Sequence, residues 1–229
     1  MKVEIWSDII CPFCYIGKRR FEAGLQAFAH RDQVKVVYRS FQLDPTIAIH
    51  PDKHLFEIAA AKEGTSTEVM AKVSRDIAER AKQDGLLFNY DTVKHTNTMD
   101  AHRLSHFAME YGKEEAVLEL LYKAYFTDSL HIGEHETLLS LAEQAGLDHQ
   151  ETVDMLLDSK RYLTAVKEDQ LAAKRLGVRG VPYFLINNRY AISGAQPVGA
   201  FIQALEAAWK EVSSSQKDED SDMCSDGIC

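Results

Sequence analysis

The sequence predicts an α/β fold with a large inserted all-helical domain, and three observations carry that reading. The chain opens on a strand–helix–strand pattern and closes on a strand, a hairpin and a helix. Between those ends, residues 46–160 show apolar positions recurring at helical spacing. A Cys-x-x-Cys, Cys11-Pro12-Phe13-Cys14, stands at the first strand-to-helix junction.

The elements follow in order. Val3 and Ile5 alternate with Glu4 and Trp6, the period of a strand. Pro12 suits a first helical turn, where its missing N–H costs nothing, and Phe21, Leu25 and Phe28 continue that helix. Val34, Val36 and Tyr38 read as a second strand. A helical crossover between the two strands implies a parallel pair. In the middle, Thr65 with Glu68 resembles a capping box. It opens a stripe of Val69, Val73, Ile77 and Ala81 that is expected to pack inward and to end at Gly85. Val117, Leu118, Leu121 and Tyr125 form a second stripe; Leu138, Leu141, Ala142 and Ala145 form a third, ended by Gly146. Asp148 with Glu151 marks another helix start. A later helix stops at Gly177, and the apolar run Tyr183–Ile186 reads as a strand. Asn187-Asn188 suits a two-residue hairpin turn, because Asn tolerates positive φ. Phe201, Leu205 and Trp209 make the last helix. Expected boundaries are 1–45 with 161–213 for the discontinuous α/β part, 46–160 for the helical part and 214–229 for a tail.

Composition narrows the function. The 229 residues carry 26 basic and 35 acidic side chains, a net charge of −9. Residues 211–229 hold six of the acids and one base, so the other 210 residues carry −4. A nucleic-acid partner would need a basic stripe and is not expected. Nor is a membrane, since no apolar run nears the ~20 residues of a spanning helix. The start Met1-Lys2-Val3-Glu4-Ile5-Trp6 lacks the apolar core of a secretory leader. If it is the native start, the expected location is cytoplasmic, where paired cysteines signal redox chemistry or metal rather than structural disulfides.

A thiol at the mouth of a helix meets unpaired N–H groups and partial positive charge, which favour the thiolate. Cys11 is therefore the expected nucleophile, and Cys14, one turn in, the resolving thiol. Half a zinc site and a pair of buried spectator thiols are the alternatives, but zinc wants four ligands. Lys18, Arg19 and Arg20 are expected to be solvated helix residues with little effect on the site. His102 with His106, and His131 with His135, are each four apart. Neither pair reads His-Glu-x-x-His, and no metal is expected at either.

Four separated motifs, in order, extend this reading: Ser7-Asp8-Ile9-Ile10-Cys11-Pro12-Phe13-Cys14-Tyr15-Ile16-Gly17; Asn97-Thr98 with Ala101-His102-Arg103-Leu104; Gly180-Val181-Pro182-Tyr183-Phe184; and Ser193-Gly194-Ala195-Gln196. Over about residues 2–212 the chain resembles the DsbA family, a thioredoxin fold with an inserted helical domain, and within it the FrnE-like branch. The resemblance implies a disulfide oxidoreductase or isomerase acting on protein disulfides or thiols, with no tightly bound cofactor and with glutathione as a candidate electron partner. It implies that Pro182 is cis and lies against the cysteines, that Pro12, Phe13 and Val181 meet substrate, and that Asn97 and His102 face the cleft. A glutathione-dependent isomerase or transferase on a small aromatic substrate is the alternative. The related 2-hydroxychromene-2-carboxylate isomerase and kappa-class glutathione transferase share the fold but usually carry Ser in place of the first cysteine. Cys224 and Cys229 form a tail Cys-x-x-x-x-Cys, read as a second dithiol tethered to the first, as incidental thiols, or as half of a Cys₄ zinc site.

Overall fold

The computed structural model describes residues 1–225, with side chains described through Glu211. Its sheet has the order β2-β1-β3-β4. β1 (Lys2–Ser7) runs parallel to β2 (Lys35–Ser40) and antiparallel to β3 (Tyr183–Ile186), which pairs antiparallel with β4 (Tyr190–Ser193). The helix α1 (Pro12–Ala27) makes the crossover from β1 to β2. The β3–β4 hairpin turns through Asn187 and Asn188, both at positive φ (48° and 56°). That is the geometry a two-residue hairpin needs.

β1 lies inside the sheet, and every residue from Val3 to Ser7 is buried. The alternation expected of a half-exposed strand is absent because both faces are covered. On one face Val3 and Ile5 join Phe21 of α1, Phe184 of β3, and Phe201 and Leu205 of α9 (Val198–Ser225). On the other, Trp6 packs with Leu185 and with Ala173 of α8 (Leu163–Arg175), and its indole N–H donates to Asp169 O at 3.0 Å.

The helical insertion comprises α2 (Leu55–Glu63), α3 (Thr67–Lys82), α4 (Met99–Glu110), α5 (Glu114–Phe126), α6 (His135–Gln144) and α7 (His149–Leu157). α4 is its centre, touching α5, α6, α7 and α8. The stripes on α5 and α6 are buried as expected, and Asp148 caps α7 by accepting from Glu151 N–H at 2.9 Å. The α3 expectation needs correction twice. Its cap is Ser66, whose Oγ accepts from Val69 N–H at 3.4 Å, not Thr65. Its buried face is Ser74, Ala78 and Ala81, while Val69 and Val73 are 49% and 41% exposed. α3 packs mainly on the short α2 at the edge of the molecule, so a narrow face of small residues suffices there. At the C-terminal end, α9 continues as helix to Ser225, beyond the boundary expected at 213.

A buried and a half-buried group in the insertion answer pH in opposite senses. His95 is buried, with its Nδ1 2.8 Å from the Tyr125 hydroxyl. Burial pushes its imidazole down from 6.5 to about 4. Burial pushes the Glu114 carboxyl, in the first turn of α5, up from 4.5 to about 8. For His95 the folded state binds its proton later than the unfolded one, so its contribution is present above pH 6.5 and is lost as pH falls toward 4. For Glu114 the contribution is present below pH 4.5 and is lost as pH rises toward 8. Urea midpoints should therefore fall less steeply between pH 6.5 and 4 in His95→Gln than in the wild type, by at most about 1.4 kcal/mol per pH unit. Glu114→Gln should be more stable than the wild type at pH 8 and lose that advantage at pH 4.

Candidate active site

The site is built where β1 gives way to α1. Ser7 ends the strand, Asp8 turns the chain, and Asp8 O accepts from Cys11 N–H at 3.1 Å. Cys11 is the N-cap of α1 with extended backbone (φ −88°, ψ 113°), and Pro12 is at the first helical position. No side chain caps the helix N-terminus. Cys14 N–H donates to Cys11 O at 3.0 Å, and the uncapped end of the helix lies at Cys11. Cys11 is 4% exposed, and its Sγ donates to Val181 O at 3.4 Å. The Val181–Pro182 bond is cis. The proline loop thus lies against the first cysteine, and Gly17 on the next turn lies against the loop: a Cβ there would stand 2.9 Å from Pro182 Cγ.

Cys14 is buried and hydrogen-bonded to Cys11. Burial first, then the hydrogen bond and charge of Cys11, push the Cys14 thiol well above its ordinary range. A hydrogen bond from the Asp8 backbone works the other way, while the Asp8 carboxylate adds to the rise. Cys14 therefore holds its proton behind Cys11. Both cysteines are free thiols here. Between them Phe13 is 40% exposed, and Pro12 is half-buried.

Asp8 is the functional residue that reasoning on cysteines passes over, although its place three residues before Cys11 could have flagged it. It is fully buried, and its Oδ2 accepts from Leu43 N–H at 2.7 Å. Its Oδ1 lies 3.2 Å from His102 Nε2. His102 is thereby held beneath the site, buried, rather than on its surface. Asn97 holds the segment after β2: its Nδ2 donates to Pro45 O (3.2 Å) and Ile47 O (2.8 Å), while its Oδ1 accepts from Met99 N–H (2.9 Å). Tyr90 is buried near Cys11 with its hydroxyl unpartnered among the described residues.

The basic run after the cysteines is ion-paired, and only Lys18 of its three residues is buried. Lys18 is buried and pairs with Glu22 and with Glu119 of α5, the latter at 2.8 Å. Arg19 reaches the same Glu119 at 2.5 Å. Arg20 grips Asp84 with paired N–H groups (2.9 Å each) and donates to Ala195 O at 2.8 Å. These charges lock α1 to the insertion and to the loop after β4. The four-apart histidines take different partners. His106 Nε2 lies 3.1 Å from Asp169, whereas His102 meets Asp8; His135 pairs with Asp100 at 3.0 Å, whereas the His131 ring lies against that of His50. Of the tail pair, the Cys224 side chain and all of Cys229 lie outside the described residues.

A dithiol at a helix mouth, under a cis-proline loop and on this strand order, belongs to the thioredoxin class of thiol oxidoreductases. The chain itself belongs to the family of the DSBA-like thioredoxin domain, whose model matches residues 2–206. It is 43% identical to a probable DsbA oxidoreductase from Streptomyces coelicolor, with a TM-score of 0.88 over 92% of this chain and 91% of that one. It is 28% identical to the uncharacterized protein YwbO of Bacillus subtilis over 91% of this chain and 98% of that one. A 2-hydroxychromene-2-carboxylate isomerase shares the fold, at 18% identity and a TM-score of 0.64, over 95% of this chain and 98% of the other.

Gly17→Ala tests the contact between helix and proline loop. The added Cβ must displace the Pro182 ring or α1, at a cost of roughly 1–3 kcal/mol. Its urea midpoint should fall accordingly, and Cys11 should react faster with a maleimide as the loop lifts from it. An unchanged midpoint and alkylation rate would refute that contact.

Proposed function

We propose that the chain exchanges disulfides with protein substrates through Cys11 and Cys14. The observation that carries this is the Cys11 sulfur at the uncapped start of α1, in contact with Val181 of the proline loop. The Cys11 thiolate attacks one sulfur of a substrate disulfide. That S–S bond breaks, and the departing sulfur leaves with the electron pair as a thiolate. Cys14 then gives up its proton and attacks Cys11 Sγ. The mixed disulfide breaks, the second substrate thiolate leaves, and Cys11–Cys14 holds the new bond. Two electrons pass from the dithiol to the substrate. Run backward, the same steps oxidise a substrate dithiol.

An extended substrate segment would add alongside Val181, whose main chain supplies hydrogen bonds without strict sequence choice. Phe13 and Pro12 offer it an apolar contact. Glutathione or another small thiol would return electrons to the oxidised pair, and a reducing compartment such as the cytoplasm favours reductase or isomerase duty. Cys224 and Cys229 would act as a tethered second dithiol. The alternative, a glutathione-dependent isomerase, needs one activated thiol and no resolving partner. The protonated Cys14 in hydrogen-bond contact with Cys11 supports the dithiol reading instead.

Reduction of insulin in the presence of glutathione tests the proposal. Cys11→Ser should abolish turnover, and Cys14→Ser should accumulate mixed disulfides visible on non-reducing gels. Wild-type turnover by Cys11→Ser would sink the mechanism. Glutathione-dependent turnover of an aromatic carboxylate that survives in Cys14→Ser, with no insulin reduction by the wild type, would establish the alternative.

A further inference from the structure

Away from the cysteines, metal-ligating side chains converge at one place among the described residues. His50 lies between β2 and α2; His131 and Glu134 lie in the turn before α6. One donor atom from each falls within 4.8 Å of the other two. His50 Nε2 and Glu134 Oε1 are 3.6 Å apart, and the His50 and His131 ring centroids are 4.8 Å apart. Zinc bonds of about 2.0–2.2 Å to nitrogen and oxygen set tetrahedral ligand atoms about 3.4 Å from one another. The His50–Glu134 edge is already near that spacing, and His131 closes the set by turning its ring.

The backbone under these residues is held. Thr96 Oγ1 donates to Ile49 O, beside His50, at 2.8 Å. Gly133, between the other two ligands, packs on Thr96 and Ile49 so closely that a Cβ would not fit. Glu134 N–H donates to His131 O at 3.0 Å. Glu134 stands at the N-cap of α6, yet its carboxylate caps nothing and is paired with His50 instead. His50 and Glu134 are exposed, so a fourth position opens on solvent.

We infer that His50, His131 and Glu134 bind a borderline divalent cation of the zinc class. Two imidazoles select this class over magnesium and calcium, which prefer oxygen donors. Three protein ligands with one open position is the donor count of an accessible zinc site rather than a closed structural one. Binding gives up the 3.3 Å hydrogen bond from Gly133 N–H to His131 Nδ1, whether Nδ1 becomes the ligand or the proton moves to Nδ1 to free Nε2. The bound cation ties the segment after β2 to the start of α6. That segment also carries Leu43, whose N–H holds Asp8. No cysteine takes part, so the site stands or falls independently of the redox reading.

The test titrates zinc chloride calorimetrically into the full-length chain with Cys11, Cys14, Cys224 and Cys229 all replaced by Ser, so that thiolates do not compete. Saturable binding at a single site is expected. His50→Ala and His131→Ala should each weaken it at least about tenfold, since even the loss of an outer-sphere partner does as much. His149→Ala, an exposed histidine paired with Glu143, should leave it unchanged. Absence of saturable binding, or equal binding in His50→Ala and His131→Ala, overturns the inference. Cobalt(II) added to the wild-type chain provides a second reading that does not depend on the serine variant folding. The difference spectrum between wild type and His50→Ala should be a d–d band without thiolate charge transfer. Identical spectra overturn the site.

Discussion

The buried carboxylate of Asp8 is the constraint on which the rest of the site depends. A carboxylate fully out of water is tolerated only when it is paired and hydrogen-bonded. The Asp8 carboxylate meets that condition by drawing two distant stretches onto it: the segment after β2 supplies Leu43 N–H, and α4 supplies His102. In the same turn its main-chain carbonyl accepts from Cys11 N–H. Removing one partner of such a buried pair costs about 3–5 kcal/mol, a large part of a typical domain's stability. The position of Cys11 is thus set partly by a helix nearly a hundred residues further along the chain. The insertion does more than roof the site, because it supplies a hydrogen-bonding partner to the residue that shapes the turn under the reactive sulfur.

The same logic explains the basic run on α1. Exposed charges on a helix contribute little, and by that rule Lys18, Arg19 and Arg20 read as solvent-facing. Their partners, Glu119 and Asp84, lie far away in sequence, and no helical spacing reveals them. Once the insertion folds over α1, Lys18 is left 4% exposed and must be paired. Arg20 reaches Asp84 on one side and the loop after β4 on the other. α1 is therefore fixed by ion pairs toward the insertion and by close packing toward α9 and the proline loop, where Gly24 admits Phe201 and Gly17 admits the Pro182 ring.

What was legible in the sequence is what local chemistry decides. The Cys11-Pro12 junction sits at a helix start because proline suits the first turn. Asn187-Asn188 turns the hairpin because both residues accept positive φ. The stripes of α5 and α6 are buried because those helices are enclosed by neighbours. What was not legible depends on tertiary position. β1 shows alternation in sequence, yet both its faces are covered, and Trp6 belongs to a second cluster under α8. Val69 and Val73 of α3 have helical spacing but no partner layer. His131 looked to His135 at i+4, whereas the loops bring it to His50, 81 residues earlier in the chain.

The hydrogen bond from Cys11 to Val181 O carries a consequence for catalysis. A thiol can donate to that carbonyl, as it does at 3.4 Å. A thiolate has no proton to donate, and its charge then faces the carbonyl's lone pairs. Ionisation of Cys11 therefore removes this polar contact between the proline loop and the sulfur and replaces attraction with repulsion. Under the proposed function, an incoming main chain that pairs with Val181 would act in the same direction, because it would offer the carbonyl an N–H in place of the S–H. Forming the nucleophile and admitting an extended substrate would then be coupled steps at a single atom. Phe13, 40% exposed beside a cysteine that is 4% exposed, would on that proposal be the surface a substrate meets before the exchange occurs.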